Sequence, residues 1–307
     1  MTTENPSPNP PRQPERPSAA EVSTAPRAGS KKITVLVENT AQGVDVLAEH
    51  GLSYWIEWGA QRVLFDSGQG IVLNGNAYKL GVPVHEPDAI VLSHGHFDHT
   101  GGLAQILRDG CPAPIYIHPA AFDAKYARNR DGTSRQIGMP PAVQEAFRRH
   151  AQNIVPTVSA TAVLPGLTAT GPVPRTTDFE DTGGAFFLDA ACCRPDPLVD
   201  DQSLFFETPK GVVILLGCAH SGVVNTLRHV DRLSGHKPIR AVIGGMHLVH
   251  ASQARIARTI EEFRQYDLQL LAPAHCTGMR ATVALWTAFP DISQTCHVGI
   301  TFEFEAP

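Results

Sequence analysis

The chain has no apolar run near the roughly 18 residues that a membrane-spanning helix requires. Its best stretch, Gly211 to Ala219, is the length of a strand. An excess of positive charge is also missing. Lys and Arg total 25 against 30 Asp and Glu, a formal net charge of -5, so general electrostatic binding to nucleic acid or anionic lipid is not expected. No basic segment followed by an apolar one marks a secretory signal, and a cytoplasmic location is the expectation. Cysteine is sparse, six in 307 residues with no C-x-x-C pair. A chain this long has no need of disulfide staples, so reduced and mostly buried thiols are expected. No short-period repeat appears. The composition, 42% hydrophobic and 18% charged, is that of a globular protein with a substantial core.

Residues 1–31 read as a disordered tail. Pro6, Pro8, Pro10, Pro11, Pro14 and Pro17 alternate with polar residues, and such a composition buries too little surface to offset its ordering entropy. From Lys32 to the end, residues 32–307 read as one domain. Strands are expected at 33–37, 53–58, 62–65, 88–93 and 114–117, with helices at 71–80 and 102–108. Residues 126–157 are polar, carry Arg128, Arg130, Arg135, Arg148 and Arg149, and offer one convincing helix at 142–149. This segment has the texture of a lid-like insertion, where binding residues tend to collect. Strands return at 160–164, 185–188, 203–208 and 212–216. The remainder alternates: helix 223–233, strand 241–244, helix 253–266, strand 269–272, helix 279–288 and strand 298–304. Strands in meander-like runs followed by alternation imply an α/β chain with two sheets covered by helices on their outer faces.

The decisive segment is Ser93-His94-Gly95-His96-Phe97-Asp98-His99-Thr100-Gly101-Gly102. Three imidazoles and a carboxylate fall within six residues, at the end of an apolar strand. Imidazole and carboxylate at this density suit zinc, iron or manganese. The bland alternative is a solvated histidine loop, against which stands the rarity of H-x-H-x-D-H directly after an apolar strand. Gly95 relieves crowding in the turn, and Gly101 and Gly102 are expected to let backbone pass close to the metals. Further ligands must come from elsewhere. His220, in Gly217-Cys218-Ala219-His220-Ser221-Gly222, and His275, in Ala274-His275-Cys276-Thr277-Gly278, each follow an apolar strand. His247, in Gly244-Gly245-Met246-His247-Leu248, repeats the arrangement and is the better candidate for substrate contact or proton transfer.

These segments resemble the metallo-β-lactamase superfamily, whose H-x-H-x-D-H signature His94–His99 matches. Together with Val35-Leu36-Val37-Glu38-Asn39-Thr40 and Leu64-Phe65-Asp66-Ser67-Gly68, they are similar to the branch named for the archaeal dihydropterin ribofuranosyl-aminobenzene phosphate synthase. The resemblance covers roughly residues 32–307. It implies a four-layer αββα sandwich with one or two divalent ions at one edge, zinc first and iron or manganese as alternatives. It also implies that His94, His96 and His220 hold a first ion and that Asp98, His99 and His275 hold a second. Two departures from the common hydrolase pattern add candidates. Gly217-Cys218 stands where a Gly-Asp usually ends a strand, so Cys218 is either a soft ligand or a small buried thiol. A Gly-His-Thr segment is missing, and Asp200 or Asp201 would take its place.

Chemically, a metal-activated water would serve hydrolysis of an ester, lactone, thioester or phosphoester. Asp98 would orient it or take a proton, and His247 would stabilise developing charge. The synthase-like branch implies a condensation with similar metals. The arginines of 126–157 and the helix opened by Ser221-Gly222, whose backbone N–H groups would bind an anion, suggest a small anionic substrate. Neither nucleic acid nor membrane is expected as a partner. The alternatives are a mononuclear iron enzyme of the persulfide-oxidising type and a non-catalytic ligand sensor.

Overall fold

The computed structural model describes residues 30–108 and 110–305. Most of the expected tail, residues 1–29, lies outside the described residues, and the domain boundary moves. Ser30 and Lys31 are strand residues paired with Glu305 and Phe304. The Lys31 ammonium donates to the Glu207 carbonyl at 2.7 Å and lies 4.2 Å from the Trp58 ring centre, contacts that tie the first strand down.

One sheet contains β1 (Ser30–Val37), β2 (Ser53–Trp58), β3 (Gln61–Phe65), β4 (Ala89–Val91), β5 (Ile115–Ile117), β8 (Ile154–Pro156) and β16 (Thr301–Glu305). Its strand order is β16-β1-β2-β3-β4-β5-β8. The second contains β9 (Thr161–Leu164), β10 (Leu167–Ala169), β12 (Ser203–Thr208), β13 (Gly211–Leu216), β14 (Ile239–Gly245) and β15 (Leu270–Ala274), in the order β15-β14-β13-β12-β10-β9. A small third sheet joins β6 (Tyr126–Arg128), β7 (Ser134–Gln136) and β11 (Phe186–Phe187). The helices are α1 (Leu73–Lys79), α2 (Phe97–Thr100), α3 (Leu103–Arg108), α4 (Pro141–Arg149), α5 (Val223–Leu233), α6 (Gln253–Phe263) and α7 (Met279–Ala288).

Side-chain alternation along the strands builds the layers. Val63 and Phe65 of β3, with Val213 and Leu215 of β13, fill the space between the large sheets. Leu64 turns the other way into an apolar layer shared with Leu73, Leu103 and Phe147 of α1, α3 and α4. Val212, Ile214 and Leu216 likewise meet α5, α6 and α7 through Leu227, Phe263 and Leu285. The result is the αββα sandwich. Because Val63–Phe65 of β3 and Val212–Leu216 of β13 are buried on both faces, these stretches read in sequence as continuous apolar runs instead of alternating ones. A fully buried Val, Leu, Ile or Phe contributes about 1.5–3 kcal/mol, so these two-faced strands anchor the molecule. No helix among the described residues is long and apolar enough to cross a membrane.

The segment expected as an irregular lid is more regular than its composition suggested. Tyr126–Gln136 forms the β6-β7 hairpin, extended by β11, and β8 is the edge strand of the larger sheet, parallel to β5. Polar side chains there reflect solvated edges rather than missing structure. Arg148 and Arg149 sit on the exposed face of α4 beside Glu145, away from the site described next.

Candidate metal centre

Most of the site residues follow the C-terminal end of a strand. β1 leads to Glu38 and Asn39, β3 to Asp66, β4 to His94, β13 to Cys218 and His220, β14 to His247, and β15 to His275. Backbone strain collects at the same places. Asp66 (φ 58°), Ala219 (53°), His247 (42°) and His275 (49°) all adopt left-handed backbone. Such residues cost on the order of 1–3 kcal/mol each and persist where the surroundings over-determine them. The surroundings are specific here. The His275 N–H donates to Glu38 Oε1 at 2.7 Å, and its Nδ1 meets Asn39 Oδ1 at 2.8 Å. Asp66 accepts from the Ser93 N–H and Ser93 hydroxyl, both at 2.7 Å. Strand β13 can reach this corner only because Gly217 lacks a side chain: a Cβ there would lie 2.2 Å from Ser93 Oγ.

His94 and His96 face each other, Nε2 to Nδ1, at 2.9 Å. The His220 ring lies 4.8 Å from the ring of His94 and 4.9 Å from that of His96. The short helix α2 then carries Asp98 and His99. His99 Nδ1 is 2.7 Å from Asp66 Oδ2, while its Nε2 lies 3.3 Å from His275 Nε2 and 3.1 Å from Cys218 Sγ. Asp98 Oδ2 lies 3.0 Å from His50 Nε2 and 3.4 Å from His275 Nε2. The six residues named from the sequence as ligands therefore lie in one connected cluster. His247 lies beside it, its ring tilted and centred 4.2 Å from the His220 ring. The cluster borders a cavity of about 450 Å³ whose other walls include Arg128, Arg135, Ile137, Phe186 and His250.

Burial sets the protonation of these groups. It holds His94, His96 and His220 well below the usual histidine range, and it pulls His275 to about 4 and His247 to about 3. All five are thus neutral near pH 7, with a lone pair available. His99 is the exception: burial alone would lower it, but the Asp66 carboxylate outweighs burial and lifts it to about 9. For Asp98, burial would raise the pKa, and hydrogen bonds from His275 and His50 reverse that, holding the carboxyl well below its ordinary range.

The donor set fits a divalent cation. The Nε2 atoms of His96 and His220 are buried without a hydrogen-bond partner, and buried polar atoms are seldom left so. Three groups, His94–Cys218–His220, His99–Cys218–His275 and His50–Asp98–His275, each bring their donor atoms within 4.8 Å of one another. Neutral imidazole, thiol sulfur and carboxylate are the ligands that zinc and related ions take.

Several expectations are corrected. The N-terminus of α5 is not open to an anion. The Ser221 N–H is held by Asp201 Oδ2 at 2.8 Å, and the Val224 and Asn225 N–H groups by the Glu180 carboxylate at 2.9 Å. The Gly222 N–H is held by the Ala219 carbonyl at 2.9 Å. Asp201 is not placed as a ligand, because its oxygens grip the backbone N–H groups of His220 and Ser221. Burial raises its carboxyl to about 6. Asp200 is likewise structural. It accepts the Gly95 N–H at 2.8 Å and pairs at 3.0 Å with the buried Lys125, whose ammonium also meets Asp196. Gly101 and Gly102 pack against the 67–69 turn, where a Cβ would strike the Gln69 and Ser67 carbonyls. They do not admit backbone to the donor atoms. His50 is not legible in the sequence, since a lone His-Gly before a strand carries no signal in a chain with 14 histidines. Asp66, a carboxylate straight after the apolar end of β3, does carry a sequence signal for the site.

Comparison with known proteins agrees with this geometry. The sequence profile of the metallo-beta-lactamase superfamily matches residues 47–275. The chain belongs to that superfamily. Within it, the protein is 29% identical over 273 residues to the 7,8-dihydropterin-6-methyl-4-(beta-D-ribofuranosyl)-aminobenzene-5'-phosphate synthase of Methanocaldococcus jannaschii, covering 84% of this chain and 90% of that one. It is 33% identical over 254 residues to an uncharacterized protein of the same archaeon, covering 82% and 93%. Among solved structures, a metal-dependent hydrolase of the beta-lactamase superfamily superposes with a TM-score of 0.75 at 28% identity, covering 90% of this chain and 99% of the other. This superfamily implies divalent metal binding, in accord with the donor set.

Proposed function

We propose that the protein is a metal-dependent enzyme acting on a small phosphate-bearing molecule, by hydrolysis or by a condensation of the synthase type. The observation that carries this reading is the cavity itself, with the histidine cluster along one wall and two arginines of the β6-β7 hairpin on another. Arg128 is anchored, donating to the Cys192 carbonyl at 2.7 Å and lying 4.8 Å from the Phe187 ring centre. The Arg135 guanidinium has no hydrogen-bond or ion-pair partner among the described residues, and the residue lines the cavity. A planar guanidinium suits bidentate phosphate recognition. The similarity to an archaeal synthase whose named product bears a 5'-phosphate points the same way.

In this reading His94, His96 and His220 would hold one ion, and Asp98, His99 and His275 would hold a second. Divalent ions here would supply Lewis acidity and lower the pKa of water from 15.7 to about 7. The ionised Asp98 accepts a proton at Oδ2, oriented by His50 and His275. His247, neutral and with a buried Nδ1 lacking a partner, hydrogen-bonds the substrate. Phe186, 5.9 Å from the His247 ring, offers an apolar wall for a flat ring and limits water entry.

The test is elemental analysis of protein purified without added metal, followed by assays on phosphoesters, lactones and pterin phosphates. Turnover of phosphate-bearing compounds is expected. Arg135→Ala should raise their KM roughly tenfold with little change in kcat, as loss of one charge-assisted hydrogen bond of about 1.5 kcal/mol implies. Equal effects on phosphate-free substrates would defeat the assignment. Oxygen uptake on a persulfide would indicate the iron oxidoreductase instead, and bound ligand without turnover would indicate a sensor.

A further inference from the structure

The small third sheet walls one side of the cavity, and its register decides which side chains face inward. Phe186 of β11 stands directly opposite Ala127 of β6, and Ala127 stands directly opposite Arg135 of β7. Directly opposed residues of an antiparallel pair share a face, so these three form one row across the sheet. All three line the cavity. The next row, Phe187, Tyr126 and Gln136, faces the other way. Opposed Cβ atoms are about 4.5–5.5 Å apart, so Phe186 and Arg135 flank the Ala127 methyl at a mutual spacing of roughly 10 Å. The row is also held in place. Phe186 packs edge-to-face against His220 and His247, with ring centres 5.3 and 5.9 Å apart. Beyond β7, the Ile137 carbonyl accepts the Phe97 N–H at 3.0 Å and Gly138 pairs with His96. Just before β6, the buried Lys125 ammonium sits 3.0 Å from both Asp196 and Asp200. The wall thus keeps its place beside the histidine cluster, and a preorganised wall loses little freedom on binding.

We propose that Ala127 is a specificity-determining residue, whose methyl group leaves a slot between Arg135 and Phe186 for the flat, uncharged ring of a ring-bearing phosphate. The proposal rests on the reading of Arg135 as the phosphate's partner and narrows it from small phosphates in general to aryl and heteroaryl ones. The phosphate meets the guanidinium, while the ring lies over the methyl and against Phe186. Ring and phosphate are therefore no more than about 10 Å apart. Aromatic pairs favour offset or edge-to-face contact, and a side chain larger than alanine at position 127 would occupy the space where such a ring must lie. Ala127 is 7% exposed and fills none of that space itself.

Calorimetric titration of the full-length protein with benzyl phosphate and cyclohexylmethyl phosphate tests this. The two probes carry the same charge and differ in whether the ring is flat. The wild-type protein should bind benzyl phosphate about five- to tenfold more tightly, the preference that one aromatic contact supplies. Ala127→Leu should bring the ratio of the two affinities to about one, and Ala127→Gly, which keeps the slot open, should retain the preference. Ala127→Val is a smaller step that suits a strand, and it should at least halve the ratio; it carries the test if the Leu variant does not fold, as judged by circular dichroism. A full preference for benzyl phosphate in a folded Leu or Val variant would overturn the proposal. A wild-type protein that binds both phosphates equally defeats only this inference. One that binds neither defeats the phosphate reading along with it.

Discussion

Asp66→Asn is expected to weaken metal binding in a pH-dependent way, through a proton on His99. Asp66 Oδ1 accepts the Ser93 N–H, and Oδ2 faces both the Ser93 hydroxyl and His99 Nδ1, each contact at 2.7 Å. Asparagine keeps Oδ1 and replaces Oδ2 by an NH2 group of nearly the same size. The Ser93 hydroxyl can turn to accept, so no buried group is orphaned. The stability loss should stay near the value of one charge-assisted hydrogen bond, about 1.5–3 kcal/mol. His99 fares differently. With a donor beside Nδ1, the neutral ring must carry its proton on Nε2, the nitrogen that faces His275 and Cys218, and a protonated nitrogen cannot ligate. Changes of this kind behind a ligand typically lower metal affinity 10–100-fold. Proton competition acts in the opposite direction. In the wild type His99 titrates at about 9, so at pH 7 an ion displaces a proton at a penalty of roughly 100-fold, two pH units. The Asn variant lacks that penalty. Its deficit should therefore be about 10–100-fold at pH 9 and should shrink toward zero at pH 7. Competition with a chelator at the two pH values, alongside melting curves, measures both terms. Identical affinities and identical pH slopes for the two proteins would show that His99 does not ligate through Nε2.

Asp98→Asn removes the base while leaving volume unchanged, and kcat should fall by about 10²- to 10⁴-fold, with the ion of His94, His96 and His220 retained on elemental analysis. Near-normal turnover would make Asp98 a structural neighbour only. The metal-free protein should lose stability on both sides of pH 6.5, measured by denaturant titration. Below it, burial keeps His94, His96 and His220 unprotonated while the unfolded chain binds protons, so stability falls as pH drops. Above it, the folded-state pKa of His99 near 9 exceeds the unfolded 6.5, so its contribution fades as pH rises through 9. A stability curve flat from pH 6.5 to 9 would contradict the Asp66–His99 pair.

Much of the architecture was legible one segment at a time. Helices at 223–233 and 279–288 form over the expected residues, because their apolar spacing and flanking glycines are local signals. The HGHFDH segment likewise announces its chemistry by spacing alone. Short elements were not legible. Leu167–Ala169 becomes a strand only because β12 lies beside it, and Phe97–Thr100 a helix turn only because its loop is anchored to Ile137 and Asp200.

What the amino-acid order determined by itself is therefore the set of reactive side chains and the strand behind most of them. Which of those side chains meet was decided in three dimensions. His50 reaches Asp98 from 48 residues away in the chain, a pairing that no local pattern encodes. Ser221 and Gly222 look like an anion site until Asp201 and Glu180 arrive from a separate segment, with charges already in place to take most of the N–H groups. Local sequence specifies what each residue can do. Only the convergence of β1, β3, β4, β13, β14 and β15 at one end of the sandwich decides whether a carboxylate meets a backbone N–H, an imidazole or a cavity.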